Sequence, residues 1–226
     1  MKKLITILAL SGLAFGSYNY VSLKLNVTES PLVDEELPIS TSQSEVILNA
    51  DDYLTYVTDP SNGLIKEKQL GDFTFRLQYL TGEMNALREL KGEPVTKESF
   101  NSKLEGLSDY QYYNFSICKK DFQNELLMYE LTSEAQYASR VEYFSFQAQR
   151  DIKLVEGQDT LDCELFHFER SFSMNPNLTF SLGFKRNKNR YLTKQFCFND
   201  KIFKNGNVNI SISRRDLLNV PQLKID

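Results

Sequence analysis

Tryptophan is absent from the sequence, histidine occurs once, and cysteine occurs three times. Each scarcity excludes something. A catalytic dyad or triad built on an imidazole has His167 as its one candidate. The cysteines, Cys118, Cys163 and Cys197, are too few for a disulfide-stapled scaffold. In an oxidising compartment at most one bridge forms among them and one thiol is left over. The alternative is three unpaired, mostly buried thiols. Positive charge is also in short supply. Lys and Arg number 26 against 30 Asp and Glu, for a net charge of −4. Nucleic-acid binding needs a broad positive field, so a DNA or RNA role is excluded from the expectations.

Several signatures are missing as well. There is no acidic EF-hand loop, no phosphate-binding glycine loop, no G-x-S-x-G elbow and no metalloprotease helix. Three cysteines and one histidine would just make four zinc ligands. Their positions along the chain do not match a compact zinc module. No cofactor is expected.

What is present begins with a leader. Met1-Lys2-Lys3 is a basic start, and Leu4 to Phe15 is apolar apart from small residues. Ala14 and Gly16 then place small residues at the −3 and −1 positions of a cleavage site before Ser17. The pattern predicts a secretory signal peptide over residues 1–16. A membrane-spanning helix needs about 20 apolar residues, so cleavage is expected over an uncleaved anchor running on through Tyr18, Tyr20, Val21 and Leu23. Lipid attachment is not expected at this leader, because Leu10-Ser11-Gly12 is followed by Leu13 where a cysteine would be needed.

Charge is uneven beyond the leader. Residues 17–60 carry one Lys against eight Asp and Glu, while residues 151–226 carry a net +3. Residues 17–47, with Ser30-Pro31, Leu37-Pro38 and the Ser40-Thr41-Ser42-Gln43-Ser44 run, read as a flexible acidic tether. Residues 48–226 read as one globular β-rich domain.

Asp51 or Asp52 is placed to cap a short helix carrying Tyr53, Leu54 and Val57. Leu64–Leu70 and Phe73–Leu80 flank Gly71-Asp72, a hairpin signal, and the second run alternates apolar and polar residues. Two helices are predicted next, over Glu83–Lys91 and over Thr96–Leu107 with Thr96 as N-cap. From Tyr110 the chain turns to strands, with Tyr113, Phe115 and Ile117 on one face. After Ser133 a helical turn is expected to pass into a strand near Val141–Phe146. Strands are then expected at Ile152–Val155, Thr160–Arg170, Leu178–Phe184, Thr193–Phe198 and Val208–Ser213. The predicted fold is α+β, mostly β: a β-sandwich, with an immunoglobulin-like arrangement among the options, carrying two or three short helices between its early strands.

Some strings resemble a known group. Asp52-Tyr53-Leu54-Thr55-Tyr56-Val57 with Asp59-Pro60-Ser61-Asn62-Gly63-Leu64, then Leu77-Gln78-Tyr79, is similar to the start of a set of exported proteins and lipoproteins of the Bacteroidota. Asp151-Ile152-Lys153-Leu154 and Leu165-Phe166-His167-Phe168-Glu169-Arg170 resemble their middle, and Asp200-Lys201-Ile202-Phe203 with Gly206 resembles their end. The resemblance covers residues 50–226. It implies an envelope location, in the periplasm or at the cell surface. The group has no assigned activity, so no catalytic residue is carried over. The missing acylated cysteine sets this chain apart from the lipoprotein members. Membrane association would then run only through an uncleaved N-terminal segment or a partner.

Three function classes follow. The first is a non-catalytic interaction module. It would use strand edges and the basic loop Lys185-Arg186-Asn187-Lys188-Asn189-Arg190, whose Lys185, Arg186, Lys188 and Arg190 would meet an envelope protein or an acidic polymer. The acidic tether is the other partner that loop could meet. The second is a hydrolase working with carboxylates among Asp162, Glu164 and Glu169. The third is a carbohydrate-binding module using Tyr110, Tyr112 and Tyr113. His167 is expected on the same strand face as Cys163, Leu165 and Glu169. Four strand residues hold Cys163 and His167 about 13 Å apart, too far for a dyad. The sequons at Asn26, Asn114, Asn177 and Asn209 are read as chance matches.

Overall fold

The computed structural model describes residues 46–170 and 175–225. The expected signal peptide at 1–16, the Asn26 sequon and the tether up to residue 45 lie outside the described residues.

The chain starts with a two-residue strand, β1 (Ile47–Leu48), and a helix, α1 (Ala50–Thr58). Asn49 caps that helix by accepting from the Asp52 amide, in place of the aspartates themselves. A hairpin follows, β2 (Ile65–Leu70) and β3 (Phe73–Leu80), turning at Gly71-Asp72 as the alternation predicts. Two helices come next. For α2 (Gly82–Glu89) Thr81 is the cap; for α3 (Lys97–Gly106) it is Thr96, with Ser99 closing a capping box. Then come β4 (Tyr110–Lys119), α4 (Glu134–Glu142), β5 (Ile152–Glu156), β6 (Asp159–Glu169), β7 (Leu178–Lys185), β8 (Lys194–Asp200), β9 (Gly206–Ile212), α5 (Arg214–Leu218) and β10 (Gln222–Leu223).

The expected strand at Val141–Phe146 is replaced by helix. α4 runs into a π-helical segment, Tyr143–Gln147, and then a 3-10 turn, Ala148–Asp151. A strand would put Glu142, Phe144 and Phe146 on one face. Phe144 is fully buried, whereas Glu142 and Phe146 are exposed. The helical spacing therefore wins.

Eight strands form one antiparallel sheet in the order β2-β3-β4-β7-β6-β5-β8-β9. The expected sandwich of two stacked sheets, immunoglobulin-like or otherwise, is not what these ladders build. Strands β5, β6 and β7 are sequential neighbours and β8 returns to lie beside β5, a Greek-key order. The sheet curls until β2 and β9, at its two ends, lie beside each other, giving a nearly closed barrel. The seam is bridged by side chains. Lys66 on β2 pairs with Asp216 of α5 at 2.9 Å. Burial works to raise the Asp216 carboxyl. Hydrogen bonds from Lys66 and Ser213 outweigh it and hold the group below the usual carboxylate range. Asp216 comes so close to Gly63 that a Cβ there would lie 2.3 Å from Oδ1, and Gly63 has φ +83°. Only glycine accommodates both conditions. A short parallel pair, β1 with β10, lies outside the barrel.

Alternation along each strand sends Phe75, Leu77, Phe115, Phe180, Phe196 and Phe198 inward. Phe115 sits at the centre, with ring centroids 4.7 Å from Phe196 and 5.4 Å from Phe198. One end of the barrel is closed by Phe144 from the π segment, 5.7 Å from Phe180 and 6.0 Å from Phe203. The other end is polar. Among the described residues no helix is long and apolar enough to cross a membrane.

Candidate functional site

The polar end is built from strand termini. Glu156 ends β5 and Lys194 begins β8, directly opposite each other in the ladder. Both fall on the inward phase, after Ile152 and Leu154 in one strand and before Phe196 and Phe198 in the other. Lys194 Nζ forms an ion pair with Glu156 Oε1, and the two side chains are 2% and 0% exposed. Glu156 Oε2 has no hydrogen-bond partner. Burial lowers the Lys194 ammonium, and Glu156 opposes that shift. The Tyr79 ring covers the pair, with its centroid 5.9 Å from Lys194 Nζ. Tyr113 stands beside them, fully buried, and donates to Gln111 Oε1 at 3.0 Å. Its phenol is raised well above its ordinary value, chiefly by burial.

Above Tyr79 opens a cleft of about 890 Å³. Thr81, Glu83, Arg186, Arg190 and Tyr191 face it, with Leu104 and Leu217 as apolar walls. Arg186 is fixed by donating Nε and Nη2 to the Tyr110 carbonyl at 3.2 and 2.7 Å. Arg190 donates to the Tyr191 hydroxyl at 2.8 Å and lies 4.9 Å from that ring's centroid. The basic loop is therefore divided. Arg186 and Arg190 turn into the cleft, Lys185 lies over the Tyr110 ring at 5.6 Å, and Lys188 is exposed.

A second depression, about 720 Å³, lies on the outer face of β4, β7 and β6, walled by α2. It owes its lining to a β-bulge. Cys163 pairs with Phe184 and Leu165 with Gly183, so Glu164 is an extra residue. Beyond it the facing reverses. Cys163, Phe166 and Phe168 point in or are half-buried, while Leu165, His167 and Glu169 are exposed. The expectation that Cys163 shares a face with Leu165, His167 and Glu169 is corrected by this one inserted residue. Leu165, 42% exposed, lies across Gly183, where a Cβ would come within 2.9 Å of its side chain.

The tyrosine cluster is split by the same alternation. Tyr110 and Tyr112 are half-buried on the outer face, 6.4 Å apart with planes at 49°. Tyr113 points into the barrel, so a three-tyrosine platform is not formed. The carboxylates are dispersed as well. Asp162 pairs with Lys153, Glu164 accepts from the Tyr110 hydroxyl at 2.8 Å, and Glu169 accepts from Ser181 at 2.9 Å. Of the three, Glu164 alone lines the outer groove.

All three cysteines are free, and no bridge among Cys118, Cys163 and Cys197 is formed. They stand on β4, β6 and β8, no two of which are adjacent. An intervening strand holds their Cα atoms about 9 Å or more apart, beyond the roughly 7 Å reach of a disulfide. Burial pushes the Cys163 thiol up to about 12 and the Cys197 thiol up to about 11. Among the described residues no group of three or more His, Cys, Asp or Glu is placed to hold a metal ion.

Glu156 and Lys194 were not singled out by sequence reasoning. Their signal was a charged residue on the apolar phase of a strand, and it becomes legible only once the two strands are paired. No protein-family model, curated protein or solved structure matches the chain.

Proposed function

We propose that the protein is a non-catalytic binding module of the bacterial envelope, exported to the periplasm or cell surface. Its barrel mouth would take an acidic group of a partner protein or polymer, and residues 17–47 would hold the barrel away from the surface it serves. The observation that carries the reading is the pairing of Arg186 and Arg190 across one cleft, with one guanidinium anchored to a backbone carbonyl and the other stacked on Tyr191. An anchored guanidinium keeps free donors in a fixed fork that suits carboxylates. Barrel mouths are common ligand sites. Strand edges contribute less to the reading, because β2 and β9 lie against each other. The export half rests on the leader pattern and on the resemblance described above.

Titration of the full chain with poly-L-glutamate, followed by calorimetry at about 0.02 M and about 0.2 M salt, tests the binding half. We expect saturable binding that weakens with salt and drops several-fold in the R190Q variant. Equal binding by that variant, or none by the wild type, would refute it. Recovery of the native protein from the cytosol with Met1 intact would refute the export half.

A further inference from the structure

We infer that the outer-face groove is a second, independent binding site, and that its ligand is a neutral pyranose oligosaccharide. Cross-strand register places Asn114, Ser181 and His167 side by side on β4, β7 and β6. At the spacing of neighbouring strands this row is about 10 Å long. Alternation turns all three outward, because Tyr113, Phe115, Phe180, Leu182, Phe166 and Phe168 occupy the other phase. Helix α2 adds Asn85 and Arg88 along the wall.

Hydrogen-bonding capacity in the groove is largely unspent. Among the described residues, the side chains of Asn85, Arg88, Asn114, His167 and Tyr112 have no hydrogen-bond partner within the protein. Of the groove's other polar side chains, Ser181 donates to Glu169 and Glu164 accepts from Tyr110. Five unspent polar groups converging on one depression constitute a recognition surface. Their chemistry is mixed. Amide, imidazole and phenol both donate and accept, and the guanidinium adds donors, as a hydroxyl-rich ligand requires. The groove carries charge of both signs, one guanidinium from Arg88 and two carboxylates from Glu89 and Glu164, and Glu89 is already paired with Lys103. A strongly charged ligand is therefore not selected.

The apolar half of the match comes from the next row. Tyr112, Gly183 and Leu165 are register partners. Gly183 has no side chain, and Leu165 lies down in the space it leaves. Tyr112 and Leu165 thus form a low apolar shelf beside the polar row. A pyranose presents a C–H face to such a shelf and a rim of hydroxyls to the row. The acidic-mouth reading uses none of these residues, so the two stand or fall separately.

The chain's one histidine makes the test direct. The imidazole resonances of His167 in the full-length protein would be followed by NMR during titration with chitotetraose, cellotetraose and maltotetraose. At least one should shift those resonances saturably, and its affinity should be insensitive to salt. Tyr112→Ala should weaken it by about three- to tenfold, the range of one lost aromatic contact. The Arg190→Gln variant should bind the sugar as wild type does. Asn114→Leu, a surface change in mid-strand, gives a second variant should Tyr112→Ala not fold, and it should also lose affinity. If none of the three sugars moves the His167 signals, the proposal is overturned. It is equally overturned if a sugar binds unchanged to a folded Tyr112→Ala or Asn114→Leu variant.

Discussion

Converting Glu156 to glutamine leaves the Lys194 ammonium 2% exposed and without its counter-charge. Among the described residues no second carboxylate acts on Lys194. Tyr79 offers only its ring face at 5.9 Å, and Arg186 adds repulsion. Breaking a buried pair from one side costs about 3–5 kcal/mol. With a slope of about 2 kcal/mol per molar urea for a domain of this size, the unfolding midpoint should fall by about 1.5–2.5 M. Far-UV circular dichroism or tyrosine emission would follow it. The pH dependence has a definite sign. Burial already lowers Lys194 in the wild type, and losing Glu156 lowers it further. A lysine depressed in the folded state releases its proton there first, so the unfolded chain binds more protons. The deficit of E156Q relative to wild type should therefore shrink as pH rises from 7 towards 10. Lys194→Met should cost a similar amount at neutral pH. The double variant E156L/K194M removes both charges and should lie within about 1 kcal/mol of wild type or above it. If both single variants cost under about 1 kcal/mol, the pair is in contact with water and the reasoning fails.

Three further outcomes are expected. Phe115→Ala empties the barrel centre between Phe75, Phe180, Phe196 and Phe198 and should cost about 3–5 kcal/mol in the same urea assay. Gly183→Ala must push Leu165 off its seat, at about 1–3 kcal/mol, and a fully neutral result in thermal unfolding would contradict the 2.9 Å approach. Cys163 and Cys197 titrate at about 12 and about 11 when folded, against 9.0 for an ordinary thiol. The native state thus holds protons that the unfolded chain gives up. Their contribution to stability is complete below pH 9 and is lost as pH rises through 11–12, and both thiols should react with an aromatic disulfide at pH 8 far more slowly than in urea.

Local elements were legible because their causes are local. Phe73–Tyr79 alternates without a break, and the structure gives a strand over Phe73–Leu80. Thr96 caps the helix that its hydroxyl suggested. What escaped notice depends on partners far along the chain. Whether eight strands make two sheets or one is decided by β8 returning beside β5 and by the Lys66–Asp216 bridge across the seam. Neither leaves a trace in any single window. The strands β1 and β10 have two residues each, too few to show a period. Of the basic loop, sequence alone marked four charges as equivalent. The fold sends Arg186 and Arg190 to Thr81 and Tyr79, more than a hundred residues upstream, and leaves Lys188 in solvent. The tyrosine triplet fails for a simpler reason: Tyr112 and Tyr113 are adjacent in a strand and must face opposite ways.

Glu164 works as a half-step in a rhythm of two. Pair that residue regularly, opposite Gly183, and every side chain from Leu165 to Glu169 exchanges places: two phenylalanines would meet water, while an imidazole and a carboxylate would be thrust among the rings around Phe180. The character of this whole wall is thus set by register and not by composition. The same residues paired without the bulge would keep their letters and lose the groove.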